Sequence, residues 1–587
     1  MPRFLALLIG LVALPALASE PDKPRLVVLV VFDQMRGDYV AKWRPLFGPD
    51  GFARLQTEGA WFTNCQYPYA TTATGPGHSS MLTGCGPDVH GIIGNVWYDR
   101  KTGAVVNCSE SPRYQRVPPV PTSLPKDQLK DEIAAQEAKT TTPPTKETNA
   151  KKEPKAQGTP DRLLAPTLGD ALKTATGGKA KVFGLSFKDR SAVLPVGAKA
   201  DGAYWLDSTD GMIVTSTFFR DAVHPWVEEL NKSRVADRWF EKTWDRFRPE
   251  IDYVKWSGPD RVFGEGKGFR QGVTFPHATD GGLKRPGKAY YDALYNSPYG
   301  NEFLLELVKA CVAGEHLGQH DVPDLLTISF SSNDSIGHTW GPDSQEVLDV
   351  TLRSDRIVAE LLRFFDDAVG KGHYLLCMTA DHGVCPLPEV SAARGLDAKR
   401  IAMKKVRDAA EAHLRAMFAH DLPDDTKTRF IEAATAPWVY LNQRLLDSRG
   451  LDNAVVARAL ADFLAKQDGI LRTFTRADLA HELDAYDAIG RRMQKAYHPD
   501  RSGDVAVVLK PYNLEHDPQY PTGTSHGTPH AYDTHVPLLV FGPNVKPGAR
   551  CDEVAPATIA SIFAKALGIS PPAKAEYPVP TGLFMRE

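Results

Sequence analysis

The sequence lacks the features that mark membrane-embedded, nucleic-acid-binding and repeat proteins. Beyond its first residues it has no stretch of eighteen or more consecutive apolar residues, so the mature chain should be soluble. The formal net charge is −3 at pH 7, which gives no reason to expect a nucleic-acid partner. No internal repeat occurs. The seven cysteines include no C-x-x-C pair, and their odd number leaves at least one unpaired unless it bridges to another chain.

The N-terminal residues predict export. Arg3 supplies a positive charge, an apolar run starts at Phe4, and an Ala-Leu-Ala sequence ends at Ala18, which together predict a secretory signal cleaved after that residue. An N-terminal membrane anchor is the alternative, but Pro15 interrupts the run and the run is short for a span. No cysteine lies near the cleavage site, so a lipid anchor is not expected. We therefore expect a periplasmic or secreted protein.

Apolar runs alternate with helical patterns along the 587 residues. Continuous apolar runs are typical of strands buried on both faces of a parallel sheet, and five occur, at 25–32, 180–187, 324–330, 373–379 and 535–542. Helical patterns lie between or beside them, at 167–176, 301–314, 346–369 and 453–467. This alternation predicts an α/β fold with a mostly parallel central sheet.

One large catalytic domain, 19–587, accounts for this organisation, since a chain of this length is compatible with one domain that carries insertions. The segment 117–160 is rich in Pro, Thr, Lys and Glu and should be a flexible insertion. The regions 195–300 and 395–520 are expected to form cap segments that wall the site.

Polar side chains collect at the ends of the five predicted strands. In a parallel sheet, ligands bind beyond the carboxyl ends of the strands, so residues at those ends should converge. Four runs end beside Asp or His and one ends beside Lys and Arg, and the residues concerned are Asp33, Lys188, Asp189, Arg190, Asp334, His338, Asp381 and His382, with His526, His530 and His535 before the last run.

The residue types and spacings indicate a metal centre. Asp334 and His338 are four residues apart, so a helical turn places both side chains on one face. Gly383 follows the adjacent Asp381 and His382, and it should let the chain turn so that both converge. Carboxylate and imidazole together suit Zn²⁺. Three Asp and three His are too many ligands for one tetrahedral ion, so these residues predict a centre of two Zn²⁺ ions.

The stretch "YATTATGPGHSSMLTG", residues 69–84, has two interpretations. Ser and Thr beside Gly and Pro are common in turns and at helix N-termini, which would make the stretch purely structural. A hydroxyl in it could also be a nucleophile, because coordination to Zn²⁺ favours the alkoxide and removes the need for a general base.

Several motifs together resemble the alkaline phosphatase superfamily, and they occur in its order from residue 33 to about 542. They are "VVFDQMRGDY", "TTATGPGHSSMLTG", "HGIIGNVWYD", "SFKDR", "NDSIGHTWGP", "TADHGV" and "SHGTPHAYDTHVPLLVFG". More narrowly they resemble its Thr-nucleophile branch, the phosphodiesterase/nucleotide pyrophosphatases and the PafA-type alkaline phosphatases. The resemblance implies a three-layer α/β sandwich with inserted cap segments, and two Zn²⁺ ions per chain.

The resemblance also implies roles for single residues. Thr74, two before the Pro in "TGPGH", would be the nucleophile, while Thr71 and Thr72 would be loop residues. One zinc would be held by Asp334, His338 and His526, and the other by Asp33, Asp381 and His382 together with Thr74. His530 is the rival of His526, which is preferred because its "HG" matches the family's final ligand. His530 and His535 would then be structural.

Lys188, Arg190 and Asn95 favour phosphate monoesters as substrates over diesters. A monoester carries a dianionic phosphate, and extra cations facing its oxygens favour it. In the PafA-type enzymes a K-x-R pair and an Asn do this, whereas the diesterase relatives are not expected to carry the pair. We therefore expect a zinc-dependent alkaline phosphatase that works through a phospho-threonine. The alternatives are a phosphodiesterase/nucleotide pyrophosphatase and an inactive metal-binding or sensing relative; a sulfatase-like enzyme is disfavoured because no Cys occupies the nucleophile position.

Overall fold

The computed structural model describes residues 23–120, 158–419, 429–516 and 521–585. The predicted signal segment lies outside these residues, as does most of the predicted insertion 117–160. Within the described ranges, no helix is both long and apolar enough to cross a membrane.

Twenty strands are present in the described residues. They are β1 (Leu26–Phe32), β2 (Ala60–Gln66), β3 (Val96–Asp99), β4 (Ala104–Asn107), β5 (Arg116–Val117), β6 (Val182–Ser186), β7 (Gly202–Asp207), β8 (Met212–Ser216), β9 (Thr243–Trp244), β10 (His277–Ala278), β11 (Asp324–Phe330), β12 (Tyr374–Thr379), β13 (Arg400–Ile401), β14 (Ile431–Thr435), β15 (Trp438–Leu441), β16 (Ile470–Thr475), β17 (Val505–Leu509), β18 (Leu514–Glu515), β19 (His535–Phe541) and β20 (Gly548–Val554).

The α-helices of the described residues are identified here by their ranges. They are Tyr39–Lys42, Phe52–Glu58, Thr74–Thr83, Pro87–His90, Leu168–Ala175, Asp189–Val193, Pro225–Lys232, Tyr253–Ser257, Lys288–Tyr295, Pro298–Glu315, Ser332–Trp340, Gln345–Phe365, Pro388–Ala393, Met403–Phe418, Gln443–Arg449, Asn453–Leu464, Arg476–Ala480, Ala488–Ala496, Ala531–Thr534 and Thr558–Leu567. Short 3₁₀ turns lie at Arg44–Leu46 and Val235–Trp239, and a π turn at Asp366–Gly370 follows the longest helix.

A ten-stranded sheet forms the centre of the fold, in the order β20-β2-β19-β12-β1-β11-β6-β7-β8-β5. Its middle five strands, β12 to β7, run parallel to one another. Every residue of β1, β11 and β12 is buried, although successive side chains point to opposite faces. Both faces of the sheet are therefore covered, and the α/β fold with a mostly parallel sheet is confirmed.

The fifth predicted strand, β19, departs from the parallel pattern. It pairs antiparallel with β12 and with β2. Its first residue, His535, therefore lies at the edge of the sheet where the parallel strands end. This direction explains why polar residues before this strand, rather than after it, join the residues that follow the other four.

A second, smaller sheet lies in the C-terminal half, in the order β14-β15-β17-β16. A separate buried apolar cluster covers it and includes side chains of the helices Met403–Phe418 and Asn453–Leu464. This sheet falls within the predicted cap region 395–520. It stays a prediction that this region and 195–300 form the walls of the site.

None of the seven cysteines is in a disulfide, and all seven lie in the described ranges. Six are buried and Cys551 is exposed. Cys377, in the middle of β12, is fully buried and burial raises the pKa of its thiol, as expected of an inert core residue.

Candidate active site

The residues predicted from the strand ends meet at one edge of the central sheet. Asp33 directly follows β1, and Asp381 and His382 follow β12 by two and three residues. Asp334 and His338 lie on the helix Ser332–Trp340, which begins directly after β11 and a one-residue link. His526 comes from the loop before β19. All six side chains are buried or half-buried.

The first group of converging donors contains Asp334, His338 and His526. Asp334 Oδ1 lies 3.1 Å from His338 Nε2 and 3.7 Å from His526 Nε2. The four-residue spacing of Asp334 and His338 places both on one side of their helix. This group contains the three ligands that the resemblance assigns to one ion.

The second group of converging donors contains Asp33, Asp334 and His382. His382 Nε2 lies 3.6 Å from Asp33 Oδ1 and 3.5 Å from Asp381 Oδ2. The resemblance assigns Asp33, Asp381 and His382 to the second ion, and Asp334 stands between the two groups. The structure thus brings all six predicted side chains together, while their division between two ions stays a prediction.

Each of the three imidazoles is oriented by a backbone carbonyl. The Nδ1 atoms of His338, His382 and His526 donate to the carbonyls of Thr524, Gly383 and Thr72 at 2.7, 2.9 and 2.7 Å. A carbonyl can only accept, so Nδ1 carries a proton and Nε2 is the nitrogen that can ligate a cation. All three Nε2 atoms face the carboxylates, which is the arrangement that metal-ligating histidines adopt.

Two carboxylate oxygens in the site are buried without a hydrogen-bond donor among the described residues, Asp33 Oδ1 and Asp381 Oδ2. A buried, unpaired carboxylate oxygen is costly unless a cation satisfies it. Together with the three Nε2 atoms, these oxygens form a donor set of the type that holds Zn²⁺. The residues present therefore fit a metal centre.

The electrostatics show how strongly charge is concentrated here. Burial and the nearby Asp381 raise the pKa of Asp33. Burial acts in the same direction on Asp334, but His338 and Lys188 outweigh it and hold the pKa of Asp334 well below its usual range. Burial and the other two imidazoles lower the pKa of His526, which keeps it neutral and able to ligate.

Thr74 is the first residue of the helix Thr74–Thr83 and is buried. Its Oγ1 lies 3.5 Å from His382 Nε2, so the hydroxyl faces the second group of donors. A Cβ on Gly77 would collide with the Asp381 carbonyl, so only glycine at that position lets this helix approach so closely. Two neighbouring hydroxyls are engaged elsewhere, since Thr72 donates to the Thr528 carbonyl and Ser79 to the Gly75 carbonyl.

Lys188 and Arg190 follow the end of β6, where Lys188 directly precedes the short helix Asp189–Val193 and Arg190 is its second residue. The Lys188 ammonium donates to Asp33 Oδ2 and Asp334 Oδ2, both at 2.7 Å. Arg190 Nε is buried without a partner in the described part of the chain. Asn95 Oδ1 accepts the Gly75 amide at 2.7 Å, which fixes its side chain at the N-terminus of the Thr74 helix.

His530 and His535 lie outside the two donor groups. His530 Nε2 donates to the Leu509 carbonyl at 2.9 Å, and His535 Nε2 donates to the Thr63 carbonyl at 3.0 Å. Neither nitrogen is directed at Asp33, Asp334 or Asp381.

This chain matches a known protein family over most of its length. The sequence model of the type I phosphodiesterase / nucleotide pyrophosphatase family matches residues 27–532. The chain belongs to this family. Among its relatives, alkaline phosphatase PhoV of Synechococcus elongatus is 31% identical over 94% of this chain and 91% of its own. Alkaline phosphatase PafA of Elizabethkingia meningoseptica is 31% identical over 90% of this chain and 88% of its own.

The fold is shared as well. The crystal structure of wild-type alkaline phosphatase PafA superimposes with a TM-score of 0.83 at 30% identity and covers 96% of this chain and 99% of that one. A second PafA structure carries four substitutions, of a threonine, an asparagine, a lysine and an arginine.

The sequence did not predict the roles of two residues that contact the candidate ligands of this phosphodiesterase-family site. Gln34 donates through its backbone amide to Asp381 Oδ1 at 3.1 Å and through its side chain to Asp334 Oδ1 at 2.6 Å, and it adopts a left-handed φ of 71° to do so. His78 donates from Nδ1 to the Thr74 carbonyl at 3.0 Å and lies 3.2 Å from Asp381 Oδ2. The sequence feature that could have identified both is their position within the motifs "VVFDQMRGDY" and "TTATGPGHSSMLTG".

Asp533 links the two loops that carry His382 and His526. Its Oδ2 accepts the amide and the hydroxyl of Thr528 at 2.8 and 2.6 Å, and its backbone carbonyl accepts the Gly383 amide at 2.7 Å. The rings of His382 and His526 stack with their centroids 3.5 Å apart. A Cβ on Gly383 would strike the Tyr532 carbonyl, so this glycine permits the close approach and is not needed for a left-handed turn.

We expect Asp533→Ala to weaken metal binding by about 10- to 100-fold, because partners that orient metal ligands typically matter by that much. The measurement is a Zn²⁺ titration against a competing chromophoric chelator. Asp533→Asn keeps an oxygen that can accept from Thr528 and should recover part of the affinity. Wild-type affinity in both variants would show that Asp533 does not position these loops.

Proposed function

We propose that this protein is a zinc-dependent alkaline phosphatase that hydrolyses phosphate monoesters, with broad tolerance of the leaving group, through a phospho-threonine at Thr74. The observation that carries the proposal is the Thr74 hydroxyl, which faces His382 while Lys188 and Asn95 lie at the same site. Similarity to alkaline phosphatases over nine-tenths of the chain supports the choice of activity.

The donor groups divide between two Zn²⁺ ions in this proposal. Asp334, His338 and His526 would hold one ion, and Asp33, Asp381 and His382 would hold the other together with Thr74 Oγ1. When bound, the pair would supply Lewis acidity that favours ionisation of the Thr74 hydroxyl and stabilises negative charge on the leaving oxygen.

The protein's own residues position the phosphate and perform the attack. Thr74 Oγ1 forms a bond to phosphorus, the bond from phosphorus to the leaving oxygen breaks, and an alcohol leaves. Water then cleaves the phospho-threonine, which releases inorganic phosphate and restores the hydroxyl. The Thr74 oxygen lies at a helix N-terminus, where the partial positive charge of the backbone favours a bound phosphate.

Three side chains have donors suited to the phosphate oxygens. Asn95 Oδ1 is held by the Gly75 amide, so its NH₂ group is directed away from that bond and can donate to the substrate. Lys188 uses two of its three N–H groups on carboxylates and keeps one. Arg190 has an unpaired buried Nε and a guanidinium that can bind two oxygens.

The PafA variant supports this assignment of residue types. Its four replaced residues are of the same types as Thr74, Asn95, Lys188 and Arg190. The Thr–Asn separation of 21 residues and the Lys–Arg separation of two are also the same in both chains.

Export belongs to the proposal as well. Its support is the N-terminal pattern of Arg3, the apolar run and the Ala-Leu-Ala sequence ending at Ala18. N-terminal sequencing of the protein recovered from outside the cytoplasm would test the cleavage site.

Arg190→Ala tests the choice of monoesters over diesters. One lost contact to developing charge of this kind costs about 10²- to 10³-fold in rate, and a dianionic monoester should bear that loss in full. A diester has one charge fewer on its phosphate, so its rate should fall much less. The ratio of the monoester rate to the diester rate should therefore decrease. The measurement is kcat/KM for a matched monoester and diester in wild type and variant. Arg190 is a cleaner choice than Lys188, which also touches Asp33 and Asp334.

An equal loss on both substrates would contradict the role given to Arg190, and a wild-type preference for the diester would favour a phosphodiesterase/nucleotide pyrophosphatase instead. Metal analysis of the purified protein provides the further control. A chain that turns over neither substrate would be an inactive relative, and its metal content would show whether it still binds metal.

A further inference from the structure

The Lys188 ammonium forms ion pairs with two buried carboxylates. It lies 2.7 Å from an oxygen of Asp33 and 2.7 Å from an oxygen of Asp334. The side chains are 9%, 0% and 7% exposed, so water screens neither ion pair. One lysine thus links the residue that follows β1 to the helix Ser332–Trp340 through two charged hydrogen bonds.

Each of the two carboxylates divides its oxygens between different partners. Asp33 turns Oδ2 to Lys188 and Oδ1 to His382 Nε2, at 3.6 Å. Asp334 turns Oδ2 to Lys188 and Oδ1 to His338 Nε2, at 3.1 Å. The lysine therefore does not compete for the oxygens that face the imidazoles, and it can stay in place when those oxygens ligate cations.

Buried carboxylates require compensating positive charge. Among the described residues, Lys188 is the one lysine or arginine in ion-pair contact with Asp33 and Asp334. Without bound cations it supplies the compensation at Asp33 and shares it with His338 at Asp334. Cations bound to the Oδ1 atoms would neutralise the same carboxylates from the other side. The protein's dependence on the lysine is then greatest in its metal-free state.

We propose that Lys188 is the internal counter-cation of the metal-free site, holding Asp33 and Asp334 in place before metal binds, in addition to any contact with substrate. This inference rests on the proposed metal assignment. It has a thermodynamic consequence: a residue that stabilises the metal-free state more than the metal-bound state lowers metal affinity, so its removal must tighten metal binding.

Thermal unfolding of the Lys188→Met chain, in excess EDTA and in saturating Zn²⁺, tests the inference. Methionine keeps much of the length and removes the charge. We expect Tm to fall by about 5 °C in EDTA, because the variant leaves buried carboxylates uncompensated, and by much less in Zn²⁺. Affinity for Zn²⁺, from competition with a chromophoric chelator, should rise by about tenfold or more. Arg190→Met is the matched control and should shift Tm equally in both conditions.

The outcomes separate this inference from the proposed metal assignment. A wild-type chain that gains no stability from Zn²⁺ would overturn the metal assignment and this inference with it. If Zn²⁺ stabilises the wild-type chain but Lys188→Met lowers Tm equally in EDTA and in Zn²⁺, only the inference is overturned. A variant that folds with Zn²⁺ and not in EDTA supports it, one that folds in neither overturns it, and Lys188→Arg should restore stability in EDTA.

Discussion

Thr74→Ala is expected to lose about 10⁴- to 10⁶-fold in kcat on phosphate monoesters, the loss that follows removal of a hydrolase nucleophile. The hydroxyl oxygen that this change removes is buried at the start of its helix and lies 3.5 Å from His382 Nε2. All six predicted Asp and His ligands remain, so zinc content and Tm should stay close to wild type. Rates, metal content by mass spectrometry and thermal unfolding are measured on the same preparations.

Thr72→Val and Ser79→Ala are the matched controls for this prediction. Their hydroxyls donate to the carbonyls of Thr528 and Gly75 at 2.9 and 2.8 Å, so they have structural roles and should retain most of the activity. Acid quenching during turnover should trap phosphate on wild-type chain and none on Thr74→Ala. Near-normal turnover in Thr74→Ala, or a larger loss in either control, would move the nucleophile to another hydroxyl of the stretch.

The strands that carry the site could be predicted to within two residues at either end. The run 324–330 corresponds to β11 without change, and 25–32 to β1 with one residue fewer, because buried strands leave long apolar runs and polar residues begin where they end. The direction of β19 could not be predicted. An apolar run has the same composition in either direction, and only pairing with β12 and β2 determines it.

The candidate ligands were predictable for the same reason, since strand ends meet at one edge of a sheet. Two features of the site were not. Lys188 reaches Asp33 and Asp334 across three strands, at distances that no spacing in the chain reveals. Asp533 acts partly through its backbone carbonyl, which carries no residue-specific signal in a sequence. Both depend on tertiary contacts between segments far apart in the chain.

His526→Ala is expected to lose one of the two proposed Zn²⁺ ions and at least about 100-fold in kcat/KM. Replacing a residue that only orients a ligand typically costs 10- to 100-fold in metal affinity or activity, and a ligand should matter more. The removed Nε2 lies 3.7 Å from Asp334 Oδ1, and its ring is fixed by the Thr72 carbonyl. Metal content after dialysis and rates at several Zn²⁺ concentrations are the measurements, and excess Zn²⁺ should restore part of the activity by mass action.

His530→Ala, four residues away, separates the two histidines that the sequence left in competition. Its Nε2 is engaged by the Leu509 carbonyl at 2.9 Å, so the variant should keep both ions and lose stability at most. If His530→Ala lost an ion and His526→Ala kept two, the ligand would be His530, and the loop before β19 would have to turn its imidazoles the other way in the metal-bound protein. Because His338 shares the Asp334 oxygen with His526, His338→Ala should reproduce the loss of His526→Ala if both hold the same ion.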